Sequence, residues 1–166
     1  MGALMKLIDV ILFIMFLVIA IAAPLLDAQT CLPSNVFPEV LVNLKTWYTQ
    51  EYGDYLVSEK PHFFVGLIWL ELLFAWPLSI ASIYGIATGK SWLRTTCLLY
   101  GVSTLTAMVA ILSELIGSKK ASEKLLKMYF PFMGFAVLAI LRGLLPNSHK
   151  SKAIDKRPAM GRKKRA

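Results

Sequence analysis

The chain has 166 residues, of which 57% are hydrophobic and only 17% charged, with a formal net charge of +8. That balance argues against an ordinary soluble domain, because the apolar residues are bunched into runs of about 20, the hydrocarbon thickness of a bilayer. Two cysteines, Cys31 and Cys97, share no metal-ligand or CxxC spacing and read as unpaired thiols.

Four candidate spans follow in chain order: residues 7–26, 62–87, 92–116 and 126–145. Each should be a helix, since a helix satisfies its own backbone in lipid. The fold class predicted is therefore all-α, a polytopic four-transmembrane-helix bundle with a helical lumenal lid loop. No repeat or Gly/Ser linker divides the chain, so residues 1–145 read as one membrane domain and 146–166 as a basic tail.

The first span also has signal-peptide features: one Lys, an apolar run, then small residues. Pro24 after Ala23, Asp27 beside Ala28, and Asp9 inside the apolar run all disfavour cleavage, and the segment is read as a retained span.

The long loop between spans one and two is patterned. Ser34 or Asn35 reads as a helix cap, with Val40, Leu41, Leu44, Trp47 and Tyr48 recurring at three- and four-residue spacing. A short second helix fits "YLVSEKP", with Pro61 suited to the start of the next span. Such helices lie on the mouth of the bundle, either as an interfacial belt with Trp47 and Tyr48 or as a lid over a cavity.

The second span carries Glu71, the one charged residue between Phe63 and Ile86. A carboxyl in lipid is costly and usually marks function. It lies ~14 Å of helix from His62. Pro77 and Pro131 remove backbone hydrogen bonds and should kink the second and fourth spans, which either opens a pocket or is simply tolerated. Asp27 closes the first span, Asp54 sits in the loop and Glu114 lies near the end of the third span. Should Asp27 approach Glu71, the two would titrate as a pair, and an acid pair in an apolar cavity suits an amine or hydroxyl on a greasy ligand.

Charge orients the bundle. Residues 146–166 hold eight basic residues against Asp155, which places that tail on the cytoplasmic side, and four spans then place the N-terminus there too. The acidic loop 27–61 faces the lumen. The loop 117–125 runs against this pattern, with Lys119, Lys120 and Lys124 against Glu123. The tail suits anionic lipid headgroups rather than nucleic acid. Lys163 and Lys164, fourth and third from the C-terminus, form a dilysine pattern for retrieval to the endoplasmic reticulum. No span holds a histidine, and neither metal-site nor phosphate-loop nor hydrolase motifs occur, so no cofactor, metal or catalytic residue is assigned.

The blocks "LDAQTCLPSNVFP", "NLKTWY", "ELLFAWP", "SWLRT" and "AILSELI" resemble, in order and spacing, the sigma-2 receptor family of the EXPERA group, which also includes the emopamil-binding sterol isomerases. The resemblance covers about residues 7–145. It implies a lidded four-helix bundle, a deep pocket for sterols and cationic amphiphiles, homodimers, and a sterol-transport protein as partner in sterol homeostasis. It places the amine-pairing acid at Asp27, a supporting acid at Asp54, a buried glutamate at Glu71, and pocket aromatics at Tyr100 and Tyr129. Ala75 and Ala107 depart from the polar residues expected there, and the loop 117–125 is short for the family.

Two function classes follow. One is a non-enzymatic sterol or lipid binder. The other is a sterol isomerase, which needs a placed acid and base to move a ring double bond. The resembling isomerases have a histidine four residues before the helix-two glutamate; here that position is Leu67, which favours the binder. A third class, an assembly factor with an incidental cavity, would tolerate loss of the acids. With Asp27 as counter-ion, binding of cationic ligands should weaken as pH falls.

Overall fold

A computed structural model describes residues 2–145. The tail residues, including Lys163 and Lys164, lie outside the described residues. The chain folds as helices only, with no strand among the described residues, and four helical stretches are long and apolar enough to cross a membrane. The first is α1 (Gly2–Leu25). The second is composite: α4 (His62–Leu70), a π-helical turn (Glu71–Ala75) and α5 (Trp76–Thr88). The third is α6 (Leu93–Gly117) and the fourth α7 (Glu123–Leu144).

The loop after α1 contains two 3-10 turns, Asp27–Thr30 and Ser34–Val36, then α2 (Glu39–Tyr52) and α3 (Tyr55–Glu59). The helix expected from Ser34 or Asn35 starts later, after Pro38. Phe37 precedes that proline and is held extended at φ −107°, ψ 148°, so helix cannot run through it. α2 stops at Gly53, whose φ of 65° a side chain would resist. Asp54 then caps α3, accepting the N–H groups of Leu56 and Val57.

The bend expected at Pro77 takes the form of one widened turn. The N–H of Trp76 donates to the carbonyl of Glu71, five residues back, directly before the proline ring. Such turns are local expansions that often occur at functional positions. Pro131 sits inside the uninterrupted α7.

Lipid-facing residues such as Leu7, Val10, Ile14 and Ile21 are exposed along α1, while Leu12 and Phe16 are fully buried. The first span is thus part of the bundle core. Phe16 packs edge-on against Tyr100 at 4.9 Å and against Phe135 at 5.2 Å. A second cluster, built on Leu56, Phe64, Ile68, Leu112 and Leu125, fills the loop-bearing end.

Helices α6 and α7 approach most closely, because glycines face the partner helix. A Cβ on Gly101 would lie 2.8 Å from the carbonyl oxygen of Ala136, and one on Gly143 would lie 2.7 Å from Cβ of Leu98. Asp9, anomalous in the sequence, pairs with buried Arg142 of α7. Trp76 ties the second span to the first by donating to the carbonyl of Ala20 at 3.0 Å.

The lysines of the loop 117–125 meet the acids of the first loop. Lys120 lies 3.4 Å from Glu59, and Lys124 pairs with Glu51. Both loops therefore share one end of the bundle, and the positive charge that disturbed the pattern is locally balanced.

Candidate functional site

Beneath α2 lies a cavity of about 410 Å³ that reaches between α1, α4, α6 and α7. Its walls are mostly apolar, with Ile19, Phe64, Met108 and Phe132 as examples, and it carries two carboxyls, Asp27 and Glu71. Asp27 arrives there because α1 ends at Leu25 and a 3-10 turn swings the chain across the bundle mouth. Glu71 arrives because it opens the π-helical turn. Neither carboxyl takes a hydrogen bond from another described residue. Both keep their acceptor capacity for whatever fills the space.

The cavity is roofed by the inner face of α2. Leu44, Lys45, Trp47, Tyr48 and Tyr52 all line it. Of the apolar stripe read in the sequence, Leu44, Trp47 and Tyr48 face the cavity while Val40 and Leu41 do not line it, and α2 sits as a lid. Tyr129 of α7 closes the wall opposite.

Asp54 stands behind this wall, fully buried, and is not on the cavity surface. Its Oδ1 accepts the two cap N–H groups of α3, while Oδ2 accepts the hydroxyls of Tyr48 at 3.1 Å and Tyr129 at 2.8 Å. It positions two cavity aromatics. The phenol of Tyr48 is pushed above its usual range, first by burial and then by the charge of Asp54. Tyr100 lies deeper, buried between Phe16 and Phe135 and outside the cavity wall.

A second, small cavity of about 50 Å³ adjoins Glu71 on the α6 side, lined by Leu67, Ala75, Ser103, Thr104 and Ala107. Ala75 and Ala107, the two sequence departures, thus share one wall. Leu67 brings no titratable group there. No group of three metal-ligating residues occurs among the described residues.

Sequence reasoning missed Lys45 and Gln29. Lys45 is half-buried and donates to the carbonyl oxygen of Gln29 at 2.9 Å. Lys60 reaches the same oxygen at 3.3 Å from the exposed side. Burial, followed by the charge of Lys60, pushes the Lys45 ammonium below the usual lysine range, against the pull of Asp27. The buried Gln29 side chain donates to the carbonyls of Leu25 at 2.7 Å and Leu41 at 3.2 Å, linking the lid to the end of α1. The available signal was register: Lys45 precedes Tyr48 by three residues, so it shares its face.

A family model described as EXPERA (EXPanded EBP superfamily) matches residues 40–143. Proteins named "Sigma intracellular receptor 2" from Homo sapiens and Macaca fascicularis are each 34% identical over 92 residues, 55% of this chain and 52% of the relative. The chain thus spans about half the length of these relatives. One of the same name from Xenopus tropicalis is 24% identical over 146 residues, 80% of this chain and 85% of the relative.

Proposed function

Because the chain belongs to the EXPERA (EXPanded EBP) superfamily, we propose that it is a membrane receptor for sterols and related amphiphiles, cationic ones included. The observation that carries this reading is the lidded cavity of about 410 Å³, apolar along its walls and bearing two carboxyls without hydrogen-bond partners among the described residues. That volume falls in the range of small-molecule sites, about 300–1,000 Å³. The apolar walls suit a ring system, and Asp27 and Glu71 suit one polar end. Asp27 is the counter-ion for an amine, Glu71 lines the same site, and Asp54 supports it through Tyr48 and Tyr129.

The ligand leaves unchanged. The related isomerases place a histidine four residues before the helix-two glutamate, and Leu67, which lines the smaller cavity beside Glu71, supplies no proton-transfer group at that position. The charge distribution favours both termini on the cytoplasmic side and the lid in the lumen, and the dilysine pattern read in the sequence favours the endoplasmic reticulum membrane. The family resemblance extends this proposal to a role in sterol homeostasis, as a homodimer with a sterol-transport protein as partner.

Equilibrium binding of a labelled hydroxysterol to the purified protein, with a cationic amphiphile as competitor, tests this reading. Saturable, displaceable binding is expected. In Asp27→Asn the sterol should still bind, while the competitor should lose about tenfold or more in affinity, the worth of one charge contact. Absence of saturable sterol binding to folded wild-type protein would overturn the reading.

A further inference from the structure

The cavity holds a cation of its own. Among its lining residues Asp27, Glu71 and Lys45 carry the ionisable charge, and Lys45 is the one lysine or arginine there. Lys45 is fixed by its place on the inner face of α2 and by its 2.9 Å hydrogen bond to the carbonyl oxygen of Gln29. Gln29 belongs to the same 3-10 turn as Asp27, two residues on. The ammonium is thereby held beside the turn that presents the acid. One of its three N–H groups is committed to Gln29, which holds the charge at the lid end of the cavity. Lys60 approaches the same oxygen from outside and does not line the cavity.

We propose that Lys45 stands where a ligand amine would otherwise sit, so that the cavity selects neutral, hydroxyl-bearing amphiphiles over cationic ones. This rests on the cavity being the ligand site. A ligand ammonium entering the lid end must share Asp27 with a like charge held nearby, in surroundings where solvent screens poorly. A ligand carboxylate meets two acids. A hydroxyl meets neither penalty: it carries no charge, and its proton goes to a carboxyl without calling on Lys45. Lys45 is thus a specificity residue: cationic amphiphiles still bind through Asp27, but more weakly than neutral ligands of the same skeleton.

The test uses the full chain in lipid nanodiscs and two probes of one ring skeleton, a hydroxysterol and the sterol carrying an amine at the same position. Dissociation constants are measured for wild type, Lys45→Met, Lys45→Gln and Lys45→Arg. In the two neutral variants amine-probe affinity should rise about tenfold or more, while the hydroxysterol stays within about threefold. Lys45→Arg should keep the wild-type preference. Unchanged or weakened amine binding with hydroxysterol binding intact would overturn the proposal. So would loss of hydroxysterol binding in both neutral variants, because Lys45 would then only support the lid. Failure of the cavity reading itself is distinct, since neither probe would then bind wild type.

Discussion

The hydroxyl of Tyr129 donates to Oδ2 of Asp54 at 2.8 Å, and the hydroxyl of Tyr48 reaches the same oxygen at 3.1 Å. One buried carboxylate thereby joins the last membrane helix to the lid. Its second oxygen caps α3. Removing it strands two phenols and two backbone N–H groups. Asp54→Ala should cost about 3 kcal/mol of stability, and Asp54→Asn less, because the amide keeps one acceptor oxygen. Thermal unfolding in detergent reads this out, and an alanine variant melting within about 1 °C of wild type would remove Asp54 as the joint.

Glu71 faces both cavities and opens the π-helical turn. On the proposed function, its side chain would serve a ligand hydroxyl through hydrogen bonding rather than charge, so that shape and polarity would matter more than ionisation. Glu71→Gln should bind a hydroxysterol within about threefold of wild type, whereas Glu71→Leu should lose about tenfold. Equal losses in the two variants would instead make a negative charge the requirement.

Much of this site was legible in the sequence. A lone carboxylate in an apolar span and an acid at a span end are conspicuous because lipid penalises both. The span limits moved by only a few residues, since bilayer thickness fixes helix length. Asp54 looked like a loop acid, because caps and tyrosine partners 75 residues away become visible only when α7 folds back. Lys45 is one charge in a long charged loop, and its three-residue spacing to Tyr48 is the only sequence sign that it shares the lid's inner face. The start of α2 was misjudged because Phe37, held extended before Pro38, separates the Ser34 turn from the helix.

The pair between Asp9 and Arg142 ties α1 to α7 in the half of the bundle away from the lid. Arg142 is 5% exposed, so its guanidinium is largely shielded from solvent. Asp9→Leu alone should destabilise by about 3 kcal/mol, because it removes a charged partner from a buried guanidinium. Asp9→Leu combined with Arg142→Met should recover most of that loss. Unfolding midpoints of the two singles and the double in one detergent complete the cycle. A strictly additive double would show that the two side chains act independently.

Lys45 also makes a statement about pH. Its ammonium is pushed below the usual lysine value of about 10.4, chiefly by burial and then by the charge of Lys60. The folded protein therefore gives up this proton at lower pH than the unfolded chain does. Below the folded value the ammonium is present in both states, and its burial counts fully against folding. As pH rises from the folded value towards the unfolded one, the unfolded chain holds more protons and stability rises. Carbon-13 dimethylation of the lysines followed by NMR titration should give a Lys45 resonance, assigned by its loss in Lys45→Arg, that titrates ahead of the usual lysine range. Its lid contact to Gln29 should weaken over the same interval, because a neutral amine is the poorer donor. A Lys45 resonance titrating at or above about 10.4 would mean that the pull of Asp27 outweighs burial, and that the cavity holds a firmer ion pair than its geometry indicates.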